Sequence, residues 1–99
     1  MNIDQEISQP TPTLLYFYTD WFLPSLTILE MEIPTISSKI NTVIIDGEKE
    51  QELIARFKIS KLPTFVLFQA NEVLARHEGM LQETLESWIS TQLQRQKDE

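Results

Sequence analysis

An α/β domain with a four-stranded mixed sheet flanked by helices is the fold this sequence predicts, and three observations predict it. The runs Leu14–Thr19 (LLYFYT) and Thr64–Phe68 (TFVLF) are almost continuously apolar, aromatic or β-branched, as strands covered on both faces are. Around and between them lie stretches whose apolar residues recur three and four apart, the spacing of a helix that buries one face. Their order along the chain is β-α-β-α-β-β-α, the alternation of a layered α/β domain.

Ninety-nine residues suffice for one small domain with one core. A hydrophobic fraction of 41% places the chain among globular rather than disordered sequences. With no cysteine, it has no disulfide framework, no thiolate metal site and no thiol–disulfide exchange of its own. The 15 acidic against 8 basic residues leave a formal charge of -7, which opposes phosphate backbones, so nucleic acid is not an expected partner. No apolar run approaches the ~20 residues that cross a bilayer, and no membrane association is expected. The opening MNIDQEISQPTPT carries neither the basic start nor the apolar run of a signal peptide, which makes the cytoplasm the expected location.

Residues 1–13 are polar, contain Pro10 and Pro12, and read as an irregular lead-in. The domain proper spans 14–95. Its first strand, Leu14–Thr19, feeds a turn at Asp20–Ser25, where Pro24 suits a first helical turn because its missing N–H would have no partner there. A helix follows from about Leu23, with Leu26, Leu29, Ile33, Ile36 and Ile40 as its apolar face. Pro34 sits inside that pattern and either kinks one helix or opens a second; the kink is preferred.

Asn41–Ile45 (NTVII) is a β-branched strand ended by the turn signal Asp46-Gly47. Glu50–Phe57 forms a short helix with Leu53, Ile54 and Phe57 on one side, and Lys58–Leu62 a loop. Thr64–Phe68, the turn Gln69-Ala70-Asn71-Glu72 and Val73–His77 make an antiparallel hairpin, with Asn71 tolerating positive φ. Gly79 breaks it. The last helix runs from Gln82, with Leu81, Leu85, Trp88, Ile89 and Leu93 at helical spacing, and residues 96–99 form a frayed tail. The expected sheet order is second, first, third, fourth strand, each βα unit joining parallel strands through a right-handed crossover.

Four features carry a resemblance. Trp21-x-x-Pro24 ends a buried strand within LLYFYTDWFLPS, and Leu62-Pro63-Thr64 begins another within KLPTFVLF. Gly79 precedes the last helix, and Phe17 lies in the core ahead of the first turn. In this order and spacing, over about Leu14–Leu93, the chain resembles the thioredoxins. The resemblance implies a thioredoxin-like fold with the N-terminal strand and helix truncated. It also implies a cis bond before Pro63, facing Trp21-Phe22 across a shallow groove, where the backbone at Leu62 hydrogen-bonds an extended peptide. The edge that the N-terminal strand of thioredoxins covers falls here on Thr42, Val43, Ile44 and Ile45. That edge is left open to another chain, with Ile3 and Ile7 as partial cover.

Departures from the thioredoxin pattern set the functional expectation. Phe22 stands where thioredoxins carry the attacking cysteine, and a ring forms no mixed disulfide. Ser25 stands for the resolving cysteine, and no histidine lies near it in sequence to activate the hydroxyl. The buried acid of thioredoxins falls at Tyr16, and the lysine beside it near Ile44. No catalytic residue, cofactor or metal is therefore assigned. The chain reads as a redox-inactive member of the family, not an enzyme, that serves as a protein-binding or adaptor module. Trp21, Phe22, Leu23, Pro24, Ser25, Leu62 and Pro63 form the groove for an extended peptide or a partner's loop. Thr42–Ile45 is a second contact, or a homodimer interface.

Whether Phe22 is exposed or folded into the core stays open. The alternative function is a glutathione- or thiol-binding transferase-type enzyme in which Ser25, near a helix N-terminus, stabilises an anion. Those enzymes carry a Glu-Ser-type pair after the proline turn that this chain lacks, and Ser25 reads more simply as a helix-start residue. His77 stands alone, faces solvent in this reading and assembles no metal site. Asp46, Glu48 and Glu50 read as a turn and an acidic helix start, since the glycine and closing glutamate of a calcium loop are misplaced.

Overall fold

The computed structural model describes residues 2–97. Along the chain lie α1 (Ile3–Ile7), β1 (Thr13–Tyr18), α2 (Leu23–Met31), α3 (Ile33–Ser37), β2 (Asn41–Asp46), α4 (Gln51–Arg56), β3 (Thr64–Gln69), β4 (Glu72–Glu78) and α5 (Leu85–Lys97). The strands form one mixed sheet in the order β2-β1-β3-β4. β1 and β2 are parallel, from Thr13 opposite Asn41 to Tyr18 opposite Asp46. β3 runs antiparallel to β1 as well as to β4.

The direction of β3 corrects the expectation of two parallel βα units. To start β3 parallel to its neighbours, the chain must climb back along the sheet by the length of a six-residue strand, roughly 20 Å. α4 has six residues, about 9 Å of helix. The connection does not make that climb, and β3 begins at the end where β1 finishes, with Thr64 opposite Phe17. The α2–α3 segment does, and it makes the only parallel crossover among the described residues.

Alternation along β1 and β3 splits the core in two. Leu14, Tyr16, Phe65 and Leu67 face Ile28, Ile33 and Ile36 of α2 and α3, and Leu85, Trp88 and Ile89 of α5. Leu15, Phe17, Val66 and Phe68 face the other way, with Val43 and Ile45 of β2, Ile3 and Ile7 of α1, and half-buried Leu53, Ile54 and Phe57 from α4 and its end.

The residues read as an irregular lead-in contain a helix. Asn2 caps α1 by accepting the Gln5 N–H, and Ile3 and Ile7, one turn apart, are buried. The segment is fastened to the β3–β4 turn, where Ala70 and Asn71 donate their N–H groups to Gln9 O and Ile7 O, each at 2.8 Å. So the helix taken as truncated is present, though short. At Pro34 the chain breaks rather than kinks. Glu32 ends α2 and opens α3 with φ -107 and ψ -38, which puts Pro34 in the first turn of α3, where it forfeits no hydrogen bond.

The Glu32 carboxylate then accepts the Leu85 N–H at 2.7 Å, tying the break to the start of α5. α5 begins three residues later than expected because Thr84 caps it, its hydroxyl accepting the Ser87 N–H. It continues through Lys97, so 96 and 97 are helical, and 98–99 lie outside the described residues. His77 is half-buried rather than solvent-facing: Nε2 lies 3.0 Å from Met80 O, and the ring packs on Phe65 and Trp88.

The hairpin turn needs positive φ at two residues, and Ala70 (φ 50) joins Asn71 (φ 69) there. A Cβ in that conformation costs on the order of 1–2 kcal/mol. Ala70→Gly relieves it at some cost in unfolded-chain entropy, and a net gain of about 0.5 kcal/mol is expected. A urea midpoint that rises at unchanged slope checks this.

Candidate functional site

The turn from Thr19 to Ser25 carries β1 into α2. Phe22 occupies the N-cap position with extended backbone and no side-chain cap, and its carbonyl accepts the Ser25 N–H at 2.9 Å. Three consecutive large apolar side chains stand out of this turn: Trp21 is 81% exposed, Phe22 40% and Leu23 73%. Phe22 therefore lies at the surface, outside the core. Pro24, partly buried, sits in the first helical turn.

Ser25 is separated from this ridge by burial, at 0% exposure. Its Oγ accepts the Thr19 N–H at 3.1 Å and lies 3.3 Å from the Tyr16 hydroxyl, which donates to Ser25 O at 2.7 Å. The serine knits the turn together from inside. Ser25, grouped with the groove residues from sequence, thus lies beneath the surface, and the hydroxyl on which the transferase alternative rests does not face solvent. Burial pushes the Tyr16 hydroxyl up to about 12, so Tyr16 accepts no proton at neutral pH in the place of a carboxylate.

Facing the turn is the segment ahead of β3. The Leu62–Pro63 bond is cis. Pro63 is buried and its carbonyl accepts the Gly79 N–H at 2.8 Å, while Lys61 O accepts the Thr64 hydroxyl at 2.6 Å. Gly47, just after β2, donates to Tyr18 O at 2.8 Å, and a Cβ on it would lie 2.6 Å from Leu62 Cδ1. A larger residue there would require the Leu62 side chain to shift, so glycine suits the close approach of these two segments.

The closure leaves a pocket of about 320 Å³ lined by Thr19, Trp21, Gly47, Glu48, Ile54, Ile59, Ser60, Lys61 and Leu62. Of the residues assigned from sequence, it unites Trp21 and Leu62; Phe22, Leu23, Pro24, Ser25 and Pro63 are not among its walls. Sequence reasoning missed Gly47, Glu48, Ile54 and Ile59 as site residues. The one signal for them was Asp46-Gly47, read only as a turn.

Glu48 braces the pocket. Its Oε1 accepts the Thr19 hydroxyl at 2.7 Å, and the Trp21 indole and then Thr19 hold its carboxyl below the usual range. The far wall, residues 57–62, is strapped to β4: Arg76 donates to Phe57 O and Lys58 O, and Glu78 accepts from both Arg76 and Ser60. A depressed carboxyl contributes above its unfolded pKa and loses that contribution as pH falls through the lower folded value. Acidification below pH 4.5 is accordingly expected to release Trp21 and change its emission. In Glu48→Gln this step should vanish, while far-UV circular dichroism reports that the fold persists.

Along β2, Val43 and Ile45 are buried against the second core and Ile44 is 41% exposed, and among the described residues no strand pairs with the outer side of β2. Asp46 accepts the Glu48 N–H at 2.9 Å, as a turn residue. Among the described residues no group of three His, Cys, Asp or Glu is placed to hold a metal ion, and no helix is long and apolar enough to cross a membrane.

The family profile described as thioredoxin matches residues 1–91. Thioredoxin Y1, chloroplastic, of Arabidopsis thaliana is 36% identical over 81 residues, covering 79% of this chain and 47% of its own length. A thioredoxin-like protein of Synechocystis sp. is 34% identical over 76 residues, covering 74% and 72%. The crystal structure of thioredoxin from Trypanosoma brucei brucei superposes with a TM-score of 0.78 at 18% identity, over 98% of this chain and 84% of that one, a likeness of fold. The chain spans less than half the length of the chloroplastic thioredoxins Y it matches. Those relatives overturn the cytoplasmic expectation, which rested on the residues at the start of the sequence. A stretch aligned to part of longer chloroplast proteins says nothing about a leader.

Proposed function

The chain belongs to the thioredoxin family, and we propose that it works there as a protein-binding or adaptor module and not as an enzyme. Lacking cysteine, it has no classical thiol–disulfide activity. The observation that carries the reading is the exposed ridge of Trp21, Phe22 and Leu23, whose Trp21 shares a pocket wall with half-buried Leu62, while Ser25 of the same turn is locked inside. Clustered aromatic and aliphatic side chains around a concavity are the usual anchors of a protein interface. An extended peptide or a partner's loop lies between the WFLPS turn and Leu62–Pro63, pairing with the Leu62 backbone. The outer side of β2, at Thr42 to Ile45, offers a second contact for another chain or a second copy. The chloroplast relatives support a plastid as the setting.

Reduced and alkylated insulin B chain, extended and without thiols, is a suitable probe for nitrogen-15 NMR titration. Shifts are expected at Trp21, Phe22 and Leu62, and Phe22→Ser should weaken binding about tenfold, the loss of one interface anchor. Unchanged affinity in Phe22→Ser, or reduction of intact insulin above a control protein with a dithiol donor, would sink the reading. A monomer at all concentrations in sedimentation removes self-pairing through β2.

A further inference from the structure

We propose that the outer edge of β2 is a docking strand for the same strand of a second copy, paired antiparallel about a two-fold axis at Val43. The inference rests on the binding reading above and deepens it at the β2 contact by naming the occupant and the register. The two edges of the sheet differ in what they present to a further strand. β4 carries Glu72, Arg76 and Glu78, and its register against β3 shifts between Leu67 and Phe68, the charges and irregularity that keep an edge from pairing. β2 is NTVIID, in unbroken register with β1, with no proline, no lysine and a charge only at its last residue.

The backbone shows which groups are free for a partner. Just past the strand, the Gly47 N–H points inward to Tyr18 O at 2.8 Å. Directions alternate along a strand, so Val43 and Ile45 turn their N–H and C=O groups toward β1, while those of Thr42 and Ile44 point outward. Pairing Thr42 with Ile44 of the partner copy, and Ile44 with its Thr42, uses every one of these outward groups. A slip of the register in one direction would draw in Asp46, whose carbonyl already accepts the Lys49 and Glu50 N–H groups. A slip in the other would draw in Ile40, whose N–H goes to Ile36 O and whose carbonyl accepts the Thr42 hydroxyl. Charge favours a second copy in this register. It sets the end of one strand against the start of the other, which brings half-exposed Lys39, now bridging Glu86 at 3.0 Å, beside Asp46 of the partner copy. The two Asp46 carboxylates stand at opposite ends of the pair, roughly 20 Å apart and beyond the ~8 Å reach of charges at physiological salt. Ile44, on the face of Tyr16 and 41% exposed, becomes the neighbour of Thr42 of the partner copy and loses water. A net charge of -7 on each copy keeps the pair weak.

The test is sedimentation equilibrium of the full chain from about 10 µM to about 1 mM, the range for an interface smaller than the ~1,200–2,000 Å² of a standard complex. Isotope-filtered NOE spectra of mixed labelled and unlabelled chain go with it. A monomer–dimer equilibrium is expected, with an NOE from Val43 Hα of one copy to Val43 Hα of the other, the close contact of a non-hydrogen-bonded antiparallel pair. Ile44→Pro removes an N–H that β1 does not use and should weaken the dimer about tenfold or more. Ile44→Lys should also weaken it about tenfold, without constraining the backbone. Lys39→Glu should weaken it by about threefold to tenfold. Val73→Lys, on the β4 edge, should leave it unchanged.

Far-UV circular dichroism checks that each variant keeps its fold. A monomer throughout would overturn the proposal, as would a dimer that withstands both Ile44 variants or shows an Hα contact other than Val43 to Val43. A monomer whose Thr42 and Ile44 amides shift with the reduced and alkylated insulin B chain would give this edge to a foreign strand, which equally overturns self-pairing. Phe22→Ser should leave the dimer constant unchanged, so failure of the groove and failure of this edge are read separately. A dimer lost in Phe22→Ser would place the interface at the Trp21–Leu23 ridge and overturn pairing through β2.

Discussion

Tyr16→Ala is expected to lose about 3–5 kcal/mol of stability, the range for removing a large ring from a packed core. The ring is fully buried, stacks on Phe65 at 5.1 Å between centroids, and belongs to the cluster that joins β1 to α2, α3 and α5. Against the roughly 5–15 kcal/mol that hold a domain together, that is a large share. Tyr16→Phe keeps the ring and removes only the hydroxyl, so Ser25 O loses its donor while Ser25 Oγ keeps the Thr19 N–H. Its expected loss is about 1–2 kcal/mol. Urea midpoints at constant slope measure both, and equal losses would mean that the ring contributes no packing. The hydroxyl also leaves a signature in alkali. With a folded pKa of about 12 against 10.0, the unfolded chain releases the proton first, so stability is full below pH 10 and falls as pH rises toward 12. Tyr16→Phe should flatten that fall.

The parts of this fold that were legible from sequence are those fixed by neighbours in the chain. Leu14–Tyr18 and Thr64–Phe68 announce buried strands by unbroken apolarity, and Asn71 announces the hairpin by its tolerance of positive φ. Features set by length or by a distant partner were not legible. The direction of β3 depends on whether the connection from Gly47 to Pro63 returns along the sheet, which no local pattern states. α1 has one pair of buried isoleucines, too few for a period, and only the Asn2 cap betrays it. Gln82 and Glu83 suit a helix well enough to hide that Thr84 starts α5. The site divides the same way. Trp21 and Leu62 sit in recognisable turns, whereas Gly47, Glu48, Ile54 and Ile59 reach the pocket only through the closing of β2 and α4 onto Leu62. The burial of Ser25 follows from Tyr16 lying beneath it, a contact between adjacent elements that spacing alone does not give.

Restoring both sulfurs is expected to produce a trap and not a reductase. In Phe22→Cys with Ser25→Cys, the first thiol sits at the N-terminus of the nine-residue α2 at a position already 40% exposed, where a thiolate is favoured below the ordinary ~8.5. It attacks one sulfur of a protein disulfide, expels the other as a thiolate and leaves a mixed disulfide. Release requires the second thiol to attack in turn, and that thiol is fully buried where Ser25 now lies, in a setting that keeps it protonated. In thioredoxins a buried acid assists this proton transfer; here its position holds Tyr16, whose hydroxyl is pushed up to about 12 and accepts nothing at neutral pH. A covalent complex with insulin should therefore accumulate on non-reducing gels while turnover stays slow. Because the thiolate fraction of the second cysteine limits release, the release rate should rise about tenfold per pH unit between roughly pH 7 and 9. A rate already level below pH 8 would show that the buried thiol ionises without help, and that the tyrosine beneath this turn is no barrier to redox chemistry.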